Sequence, residues 1–516
     1  MKKLYYLSIF TFLSISLFSQ YEEVSTDSLI LGTLETNSNS FGSPLNNGGI
    51  NSPDSNEVGR KIVFWVHGLA GNAQSWNQVQ SSTEDQTGAP VVGYPERNVE
   101  GYALSYSGHE NLNIFDLGTY VNNNLMEPWR KSVPRRDTIP INKNFMIAHS
   151  QGGIVARAIR HKQLSDPVGN NSQFGALATF GSPHGGAKII NSTKAGGGVQ
   201  KWINEGCLAL TSAEIRTFLG KKWWLDGIIS PAVVSNFSNY ACAGLNKTVF
   251  PLLVNSIRKP VGASYSVGGS HLAILDSTAK QDTMKVVTFY GVEAEPVLWR
   301  TIHSMTYTKD SSMAGNILST NPFGLNDDSE LTNFVNNKIA DYYMKSLNWR
   351  VRSQSINSTF SGRVWLYLLF VDDPAAQRSL TYQSAAIWLA TANTRWKRFI
   401  GARRDTSYIK DYRCRCFILT DGKWRYSKTF VQSEVDCYPS DPHLCSVNAR
   451  RVHTIIDEPN DGVVTVSSQT GYPNRVNSIM MENTNHMQER NSEVTKRSLL
   501  QLFDGQLGRE FALDKK

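Results

Sequence analysis

The fold is decided by residues 144–155, NFMIAHSQGGIV. Residues 144–148 form a mostly apolar run typical of a buried strand, and an amphipathic helical pattern begins directly after Ser150. A serine between a strand and a helix sits on a sharp turn that presents its hydroxyl above the sheet, and its neighbours must be small because the turn is crowded. Gly152 meets that need, while Ala148 stands where glycine is more usual. We therefore predict that Ser150 is a nucleophile at the carboxyl end of a buried strand.

Strand and helix patterns alternate on both sides of this stretch. Apolar or β-branched runs predict strands, and a 3.6-residue apolar period predicts helices. The predicted strands lie at 61–66, 101–106, 144–148, 175–180 and 284–290, and a predicted helix lies at 114–126. Such alternation is typical of a mainly parallel sheet covered by helices on both faces, so the predicted fold class is α/β.

A second glycine-bearing motif, HGLAG at residues 67–71, follows the first predicted strand. Acyl transfer needs hydrogen-bond donors aimed at the oxyanion of the tetrahedral intermediate, and a glycine-bearing turn leaves its N–H groups available for this. The helix that starts after Ser150 points further backbone N–H groups at the same position. We predict that the backbone N–H groups of Leu69 and Gln151 form an oxyanion hole.

A serine nucleophile needs a base, and the base needs a carboxylate that orients it. His486 lies near the C-terminus after an apolar run at 476–481, where the base is expected. Asp461 lies in a turn before another apolar segment, a short distance ahead of His486 in sequence, and is the preferred acid. Glu293 and Glu295 follow the last strand predicted before a long insert and are the alternative acids.

Taken together, these motifs resemble those of bacterial triacylglycerol lipases and their inositol-deacylase-like relatives in the α/β-hydrolase superfamily. The motifs are HGLAG at 67–71, AHSQG at 148–152, GSPHG at 181–185, NDGVV at 460–464 and NH at 485–486. The resemblance covers roughly residues 60–290 and 450–500, and it implies an α/β-hydrolase fold with a mainly parallel central sheet, a cap and an inserted subdomain. By this resemblance, Ser150, Asp461 and His486 form a catalytic triad.

The resemblance also bears on three further histidines and on metal content. It implies that His184 lies on a loop lining the site, and His67 and His149 are expected to contact substrate beside it. Many lipases of this type bind calcium near the histidine loop. Because no acidic cluster here matches those calcium ligands and Glu489 alone is too little, we predict no metal, and we predict no cofactor.

This sequence departs from the family pattern in the position of the triad acid along the chain. In the family, the acid usually comes soon after the strand that corresponds to residues 284–290, which favours Glu293 or Glu295. The context of Asp461 and its closeness to His486 favour Asp461.

The N-terminus predicts export. Lys2 and Lys3 precede a mostly apolar run at 4–18, which is too short to span a bilayer and is typical of a secretory signal peptide. We therefore expect a secreted or periplasmic bacterial protein. Six cysteines fit that expectation, because an even number in an exported chain suggests disulfides.

Cys207 and Cys242 form one expected disulfide. The other four cysteines are expected to pair among themselves in an order that the sequence leaves open. They are Cys414, Cys416, Cys437 and Cys445. A zinc site is the alternative for these four, although their spacing fits zinc poorly.

The predicted organisation has five parts. They are a signal peptide at 1–19, a flexible linker at 20–59, a core at 60–290 with a cap at 188–283, an inserted subdomain at 291–449 and the end of the core at 450–516. Within the cap, Trp223 and Trp224 belong either to a lid or to the core of the cap. Within the insert, helices are predicted near 331–346 and 374–395, and strands at 364–371 and around 412–430.

The composition limits the classes of partner. The formal net charge of +8 has no long Lys/Arg run behind it, so an ordinary basic surface is expected, with weak attraction to an anionic lipid surface as the alternative. No motif predicts nucleic-acid binding or a dedicated protein partner. The expected activity is hydrolysis of carboxylic esters, in particular lipid acyl esters. The alternatives are a phospholipase, a glycolipid deacylase, or a non-catalytic surface-binding protein on the same scaffold.

Overall fold

Six parallel strands form the central sheet of the computed structural model, in the order β2-β1-β3-β4-β5-β9. These strands are β1 (Lys61–Val66), β2 (Val99–Leu104), β3 (Phe145–His149), β4 (Ala176–Phe180), β5 (Lys285–Val292) and β9 (Asn477–Glu482). The structure describes residues 61–69, 71–76, 99–109, 111–128, 144–166, 173–194, 198–219, 242, 259–307, 331–358, 373–421, 423–432, 437, 445–490 and 492–513. The predicted α/β class with a mainly parallel sheet is confirmed.

Eleven α-helices lie within the described residues. They are α1 (Ile114–Tyr120), α2 (Gln151–Ser165), α3 (Lys188–Lys194), α4 (Gly198–Leu219), α5 (Pro260–Ser264), α6 (Ser270–Gln281), α7 (Val297–Tyr307), α8 (Leu331–Ser358), α9 (Pro374–Ile400), α10 (Val466–Gln469) and α11 (Glu493–Phe503). A π-helical turn, Val121–Met126, extends α1, so the helix predicted at 114–126 is confirmed.

Two apolar layers sandwich the central sheet. In β1, Phe64 and Val66 join a cluster that includes residues of α1 and α2, whereas Val63 and Trp65 join a second cluster that includes Leu499 of α11. Successive strand residues point to opposite faces, so helices must cover both. Every residue of β3 and β4 is buried, which explains why these strands are continuous apolar runs in the sequence.

A second sheet of three antiparallel strands lies between α9 and the last part of the core in sequence. Its strands are β6 (Arg403–Thr420), β7 (Lys423–Val431) and β8 (Cys445–Asp457), in the order β7-β6-β8. The strands predicted around 412–430 are confirmed, but β6 begins nine residues earlier and β8 was not predicted. Helices α8 and α9 extend beyond the ends predicted at 346 and 395.

All six cysteines form disulfides, and no free cysteine remains. The pairs are Cys207–Cys242, Cys414–Cys437 and Cys416–Cys445. The early pair is the predicted one, and the late cysteines pair among themselves as expected. These pairings leave no thiolate for the alternative zinc site, because a disulfide sulfur is no longer a thiolate ligand.

Several predicted features lie outside the described residues. They are the signal peptide at 1–19, the linker at 20–59, the Trp223–Trp224 pair, the strand at 364–371 and part of the cap at 188–283. The division into core, cap and insert stays a prediction. Among the described helices, none is long and apolar enough to cross a membrane.

Candidate active site

Ser150 occupies a strained turn between β3 and α2. Its φ of 52° lies in the left-handed region that non-glycine residues rarely adopt, and this conformation is the kind that active sites hold in place. A Cβ on Gly152 would lie 2.5 Å from the carbonyl oxygen of His67, so only glycine fits there. A Cβ on Gly68 would lie 2.9 Å from the Cβ of Ser150, so the HGLAG turn packs directly against the serine.

Three side chains form a continuous hydrogen-bonded chain at this turn. The Nε2 of His486 lies 2.8 Å from the Oγ of Ser150, and its Nδ1 lies 2.7 Å from the Oδ2 of Asp461. Asp461 is fully buried, His486 is 6% exposed and Ser150 is 9% exposed. The structure thus brings together the three residues that the sequence predicts as a triad, in the geometry of a nucleophile, a base and an orienting acid.

Asp461 is held by its own turn. Its Oδ1 accepts hydrogen bonds from the N–H groups of Val463 at 2.8 Å and Val464 at 2.6 Å, which leaves Oδ2 for His486. The backbone joins the two residues as well, since the N–H of His486 donates to the carbonyl oxygen of Asp461 at 2.8 Å. These contacts orient the carboxylate before any substrate arrives.

The alternative acids lie in other ion pairs. The Oε1 of Glu293 accepts a hydrogen bond from the Nε of Arg300 at 2.6 Å. Glu295 accepts hydrogen bonds from Lys397 at 2.7 Å and from Asn393 at 2.6 Å. Burial alone would raise the pKa of Glu295, but these two hydrogen bonds lower it. Both glutamates thus stabilise the junction between β5 and the helices that follow. The geometry therefore favours Asp461 as the acid that pairs with His486.

The predicted oxyanion-hole residues flank the serine. Gln151 is the first residue of α2, where a backbone N–H has no partner within the helix. Leu69 follows Gly68, which packs against Ser150. Among the described residues, no protein group accepts a hydrogen bond from the N–H of Leu69 or Gln151. Both amides can therefore donate to a ligand oxygen, and their role stays a prediction.

Two of the three further histidines form hydrogen bonds beside the site through their ring nitrogens. The Nε2 of His67 accepts a hydrogen bond from the N–H of Tyr106 at 3.2 Å, and the two rings stack. The Nε2 of His149 donates to the carbonyl oxygen of His486 at 2.7 Å. Burial, followed by the charge on His486, lowers the pKa of His149 well below its usual value, so its ring stays neutral.

The third further histidine, His184, is fully buried, with its Nε2 3.0 Å from the Oγ1 of Thr179. Burial lowers the pKa of His184 well below its usual value. A supporting role accounts for the contacts of all three histidines, and contact with substrate stays a prediction for each.

Glu489 is a second buried carboxyl beside the candidate base, and the sequence did not predict its place. Its Oε2 lies 3.4 Å from the Nδ1 of His486 and 4.0 Å from the Nε2 of His149, while its Oε1 accepts the N–H of Gly291 at 2.6 Å. The 3-10 turn Gln488–Arg490 brings it back toward the histidine three residues earlier. That spacing of three residues was the available signal, but it has meaning only once the turn is known.

The three titrating groups influence one another strongly. Burial alone would lower the pKa of His486, but the neighbouring Asp461 outweighs it and raises the pKa, which stabilises the imidazolium formed when Ser150 loses its proton. Burial, followed by the negative charge of Asp461, raises the pKa of Glu489, so this carboxyl holds a proton at neutral pH. The Oδ2 of Asp461 is the carboxylate oxygen closest to the Nδ1 of His486, at 2.7 Å against 3.4 Å for the Oε2 of Glu489.

One group of possible metal ligands occurs within the described ranges. His149, His486 and Glu489 bring one ligand atom each within 4.8 Å of one another. Hydrogen bonds already use His149 and His486, and His486 is the candidate base. We therefore interpret the group as a hydrogen-bonded support of the triad.

No protein-family model matches this sequence, and no curated protein matches it. Solved structures with a detectable likeness include the lipase BlEst2 of Bacillus licheniformis in its mature form, with 13% identity, 51% of this chain and 78% of that chain covered, and a TM-score of 0.26. Phospholipase PlaB of Legionella pneumophila matches with 13% identity, 48% of this chain and 43% of that chain covered, and a TM-score of 0.25. Est816, described as an N-acyl homoserine lactone degrading enzyme, matches with 10% identity and a TM-score of 0.25. The match covers 54% of this chain and 93% of that chain.

These proteins are α/β-hydrolases, and at such low identities and TM-scores the likeness extends no further than the general α/β architecture. The match covers 43% of PlaB in one of its structures and 93% in another. The parallel sheet and the strand–serine–helix turn resemble the α/β-hydrolase superfamily in their own right.

Proposed function

We propose that the protein is a serine hydrolase that cleaves carboxylic esters, with Ser150, His486 and Asp461 as its catalytic triad. The observation that carries this proposal is the hydrogen-bonded chain from Ser150 Oγ to His486 Nε2 at 2.8 Å and from His486 Nδ1 to Asp461 Oδ2 at 2.7 Å. A buried serine on a strained turn, with a base and an acid already aligned, matches what nucleophilic acyl transfer requires.

The reaction proceeds through an acyl-enzyme. His486 Nε2 takes the proton of Ser150 as Oγ attacks the ester carbonyl, and the carboxylate of Asp461 stabilises the resulting imidazolium. The N–H groups of Leu69 and Gln151 donate to the oxyanion. His486 then gives its proton to the leaving alcohol, and water repeats the sequence to release the acid and restore Ser150.

The sequence resemblance to bacterial lipases favours substrates with an apolar acyl chain. Fold alone does not determine the substrate, because one scaffold can serve esters, thioesters and amides. The three disulfides support export, because disulfides persist in oxidising compartments such as the periplasm and the medium. The proposed setting is therefore extracytoplasmic lipid ester hydrolysis.

The test is hydrolysis of p-nitrophenyl esters of increasing chain length, with a phospholipid substrate alongside. We expect the wild type to turn over the esters and Ser150→Ala to lose about a millionfold in turnover, the usual cost of removing a triad nucleophile. A fluorophosphonate probe is expected to label the wild type at Ser150 alone.

The control is the fold of the variant, checked by circular dichroism. Retained activity or probe labelling in Ser150→Ala would contradict the assignment of the nucleophile. A wild type that hydrolyses none of these substrates and takes no probe would favour the non-catalytic alternative.

A further inference from the structure

The positive charge of the chain is concentrated in the small antiparallel sheet. Strands β6, β7 and β8 contain ten Lys or Arg residues and three Asp residues, a surplus of seven positive charges. The formal net charge of the whole chain is +8, so the rest of the chain is close to neutral. A local surplus of one sign creates a field that attracts surfaces of the opposite sign.

One side of this sheet gathers cations around an aromatic ring. Directly opposite residues of antiparallel strands lie on the same side, and alternate residues of one strand share a side. Arg413 lies opposite Phe430, and Arg415 lies opposite Lys428. The guanidinium of Arg450 lies 5.5 Å from the ring centre of Phe430, which places β8 on the same side. We call these five residues the basic face.

The basic face is partly open to solvent. Phe430 is 56% exposed, Lys428 and Arg450 are exposed, and Arg413 and Arg415 are half-buried. The one carboxylate beside them among the described residues, Asp411, lies 3.5 Å from Arg450 and leaves the other three cations in surplus. The opposite side carries Cys414 and Cys416, which are buried by their disulfides. Placing Arg415 directly opposite Lys428 costs stability, because like charges repel across a strand pair.

We propose that the basic face docks on an anionic lipid surface. Basic residues near a membrane are attracted to anionic headgroups, and aromatic or aliphatic side chains among them enter the boundary between headgroups and acyl chains. Further along the same side, Tyr408 and Ile456 are 54% and 49% exposed. The other side exposes Ile409 and Ile455 at 42% and 56%, so the cations around Phe430, rather than exposed isoleucines, select the docking side. A soluble polyanion such as nucleic acid or polysaccharide would use the cations but would leave the exposed aliphatic side chains without an apolar partner.

The basic face is joined along the chain to the acid turn. In β8 (Cys445–Asp457), the distance from Arg450 to Asp457 is roughly 23 Å at the usual rise per residue, and the chain then enters the turn of Asp461. The docking proposal concerns binding alone, so it does not depend on the catalytic proposal.

The test uses the full chain with Ser150→Ala, so that no lipid is consumed, in sedimentation with vesicles. We expect binding to vesicles of phosphatidylcholine mixed with phosphatidylglycerol, little binding to phosphatidylcholine alone, and weaker binding as salt is raised. Equal binding to both kinds of vesicle, or binding to neither, would overturn the proposal.

The decisive comparison is between two triple variants with the same loss of charge. Arg413→Gln with Arg415→Gln and Lys428→Gln removes three cations from the basic face, and we expect binding to weaken on the order of a hundredfold. The matched control removes three exposed cations from the other side of the same sheet, by substituting Lys423, Arg425 and Arg451 with Gln, and is expected to weaken binding much less.

An equal loss in the two triple variants would mean that net charge alone attracts the chain, and would overturn the assignment to this face. Binding to a soluble sulfated polysaccharide without binding to anionic vesicles would overturn the choice of lipid. Circular dichroism of both triple variants is expected to match that of the parent chain, which shows that the fold is retained.

Discussion

At the scale of single residues, Asp461 serves two purposes with its two oxygens. One oxygen accepts N–H groups of its own turn, and the other accepts the Nδ1–H of His486. The hydrogen bonds from the turn fix the orientation of the carboxylate, and this orientation fixes the direction of its hydrogen bond with His486. A carboxylate held in this way keeps the histidine in the tautomer whose Nε2 faces Ser150, which is what the base requires.

We predict that Asp461→Asn lowers turnover by about four orders of magnitude, the scale seen when a triad acid is lost. The amide NH2 of Asn can donate to an unprotonated Nδ1 of His486, which places the proton on Nε2 and removes the base. Glu293→Gln and Glu295→Gln should each cost less than about tenfold, because both carboxylates pair away from the histidine. The measurement is turnover of one soluble ester by all three variants after circular dichroism. An active Asp461→Asn beside a dead glutamate variant would reassign the acid.

Glu489 predicts a pH dependence of stability. Burial and the charge of Asp461 raise the pKa of Glu489 from 4.5 to about 8, so between those values the folded protein holds a proton that the unfolded chain has lost. The wild type should therefore lose stability as pH rises through this window. Glu489→Gln cannot ionise, and its unfolding temperature should rise relative to that of the wild type from pH 5 to pH 8. A constant difference between the two proteins over this range would count against a protonated Glu489.

At the scale of elements, a strand could be predicted from the sequence only where its burial produces a recognisable pattern of apolar residues. Strands β3 and β4 are buried at every position, so they appear as continuous apolar runs. In β8, the residues are exposed or half-buried along its whole length, and charged and apolar side chains occur on both sides. No alternation therefore marked it as a strand, and its pairing with β6 follows from partners distant in sequence.

The residues of the candidate site likewise divide into those that the local sequence predicts and those that it does not. Ser150 and His486 could be predicted because each follows an apolar strand within a recognisable motif. Glu489 could not, because a carboxylate in isolation carries no sign of burial. Its place beside His486 depends on a short 3-10 turn and on the approach of Gly291 from β5, and neither is visible in local sequence.

At the scale of the whole molecule, the segment between β5 and β8, which the sequence predicts to be mostly an insert, supports the site. The chain leaves the parallel sheet after β5, forms the antiparallel sheet that ends with β8, and then enters the turn of Asp461. On the way, it contributes α7 and α9, and both reach the acid turn. A Cβ on Gly462 would lie 2.1 Å from the Oγ1 of Thr301 in α7, and the Nε1 of Trp396 in α9 donates to the carbonyl oxygen of Gly462 at 2.7 Å. The helices of the insert therefore hold the residue next to Asp461.

This contact predicts that a change in the insert alters catalysis. Trp396 is fully buried, so Trp396→Phe keeps most of its packing but leaves the carbonyl of Gly462 without that donor. We expect the free energy of unfolding to fall by about 1–3 kcal/mol, the cost of an unsatisfied buried polar group. We also expect kcat on a soluble ester to fall by about tenfold or more with little change in KM, because the acid turn shifts relative to His486.

The matched control lies in the same helix. Trp388 is also buried, and its Nε1 donates at 3.2 Å to the carbonyl oxygen of Trp202 in α4, away from the acid turn. Trp388→Phe removes a similar indole N–H, but the carbonyl of Trp202 keeps its partner within α4, so this variant should cost less stability and leave kcat close to that of the wild type. Equal losses of kcat in the two variants would mean that general loosening of the insert, rather than the hydrogen bond to Gly462, reaches the triad. An unchanged kcat in Trp396→Phe would mean that the acid turn keeps its position through Thr301 and its own hydrogen bonds alone.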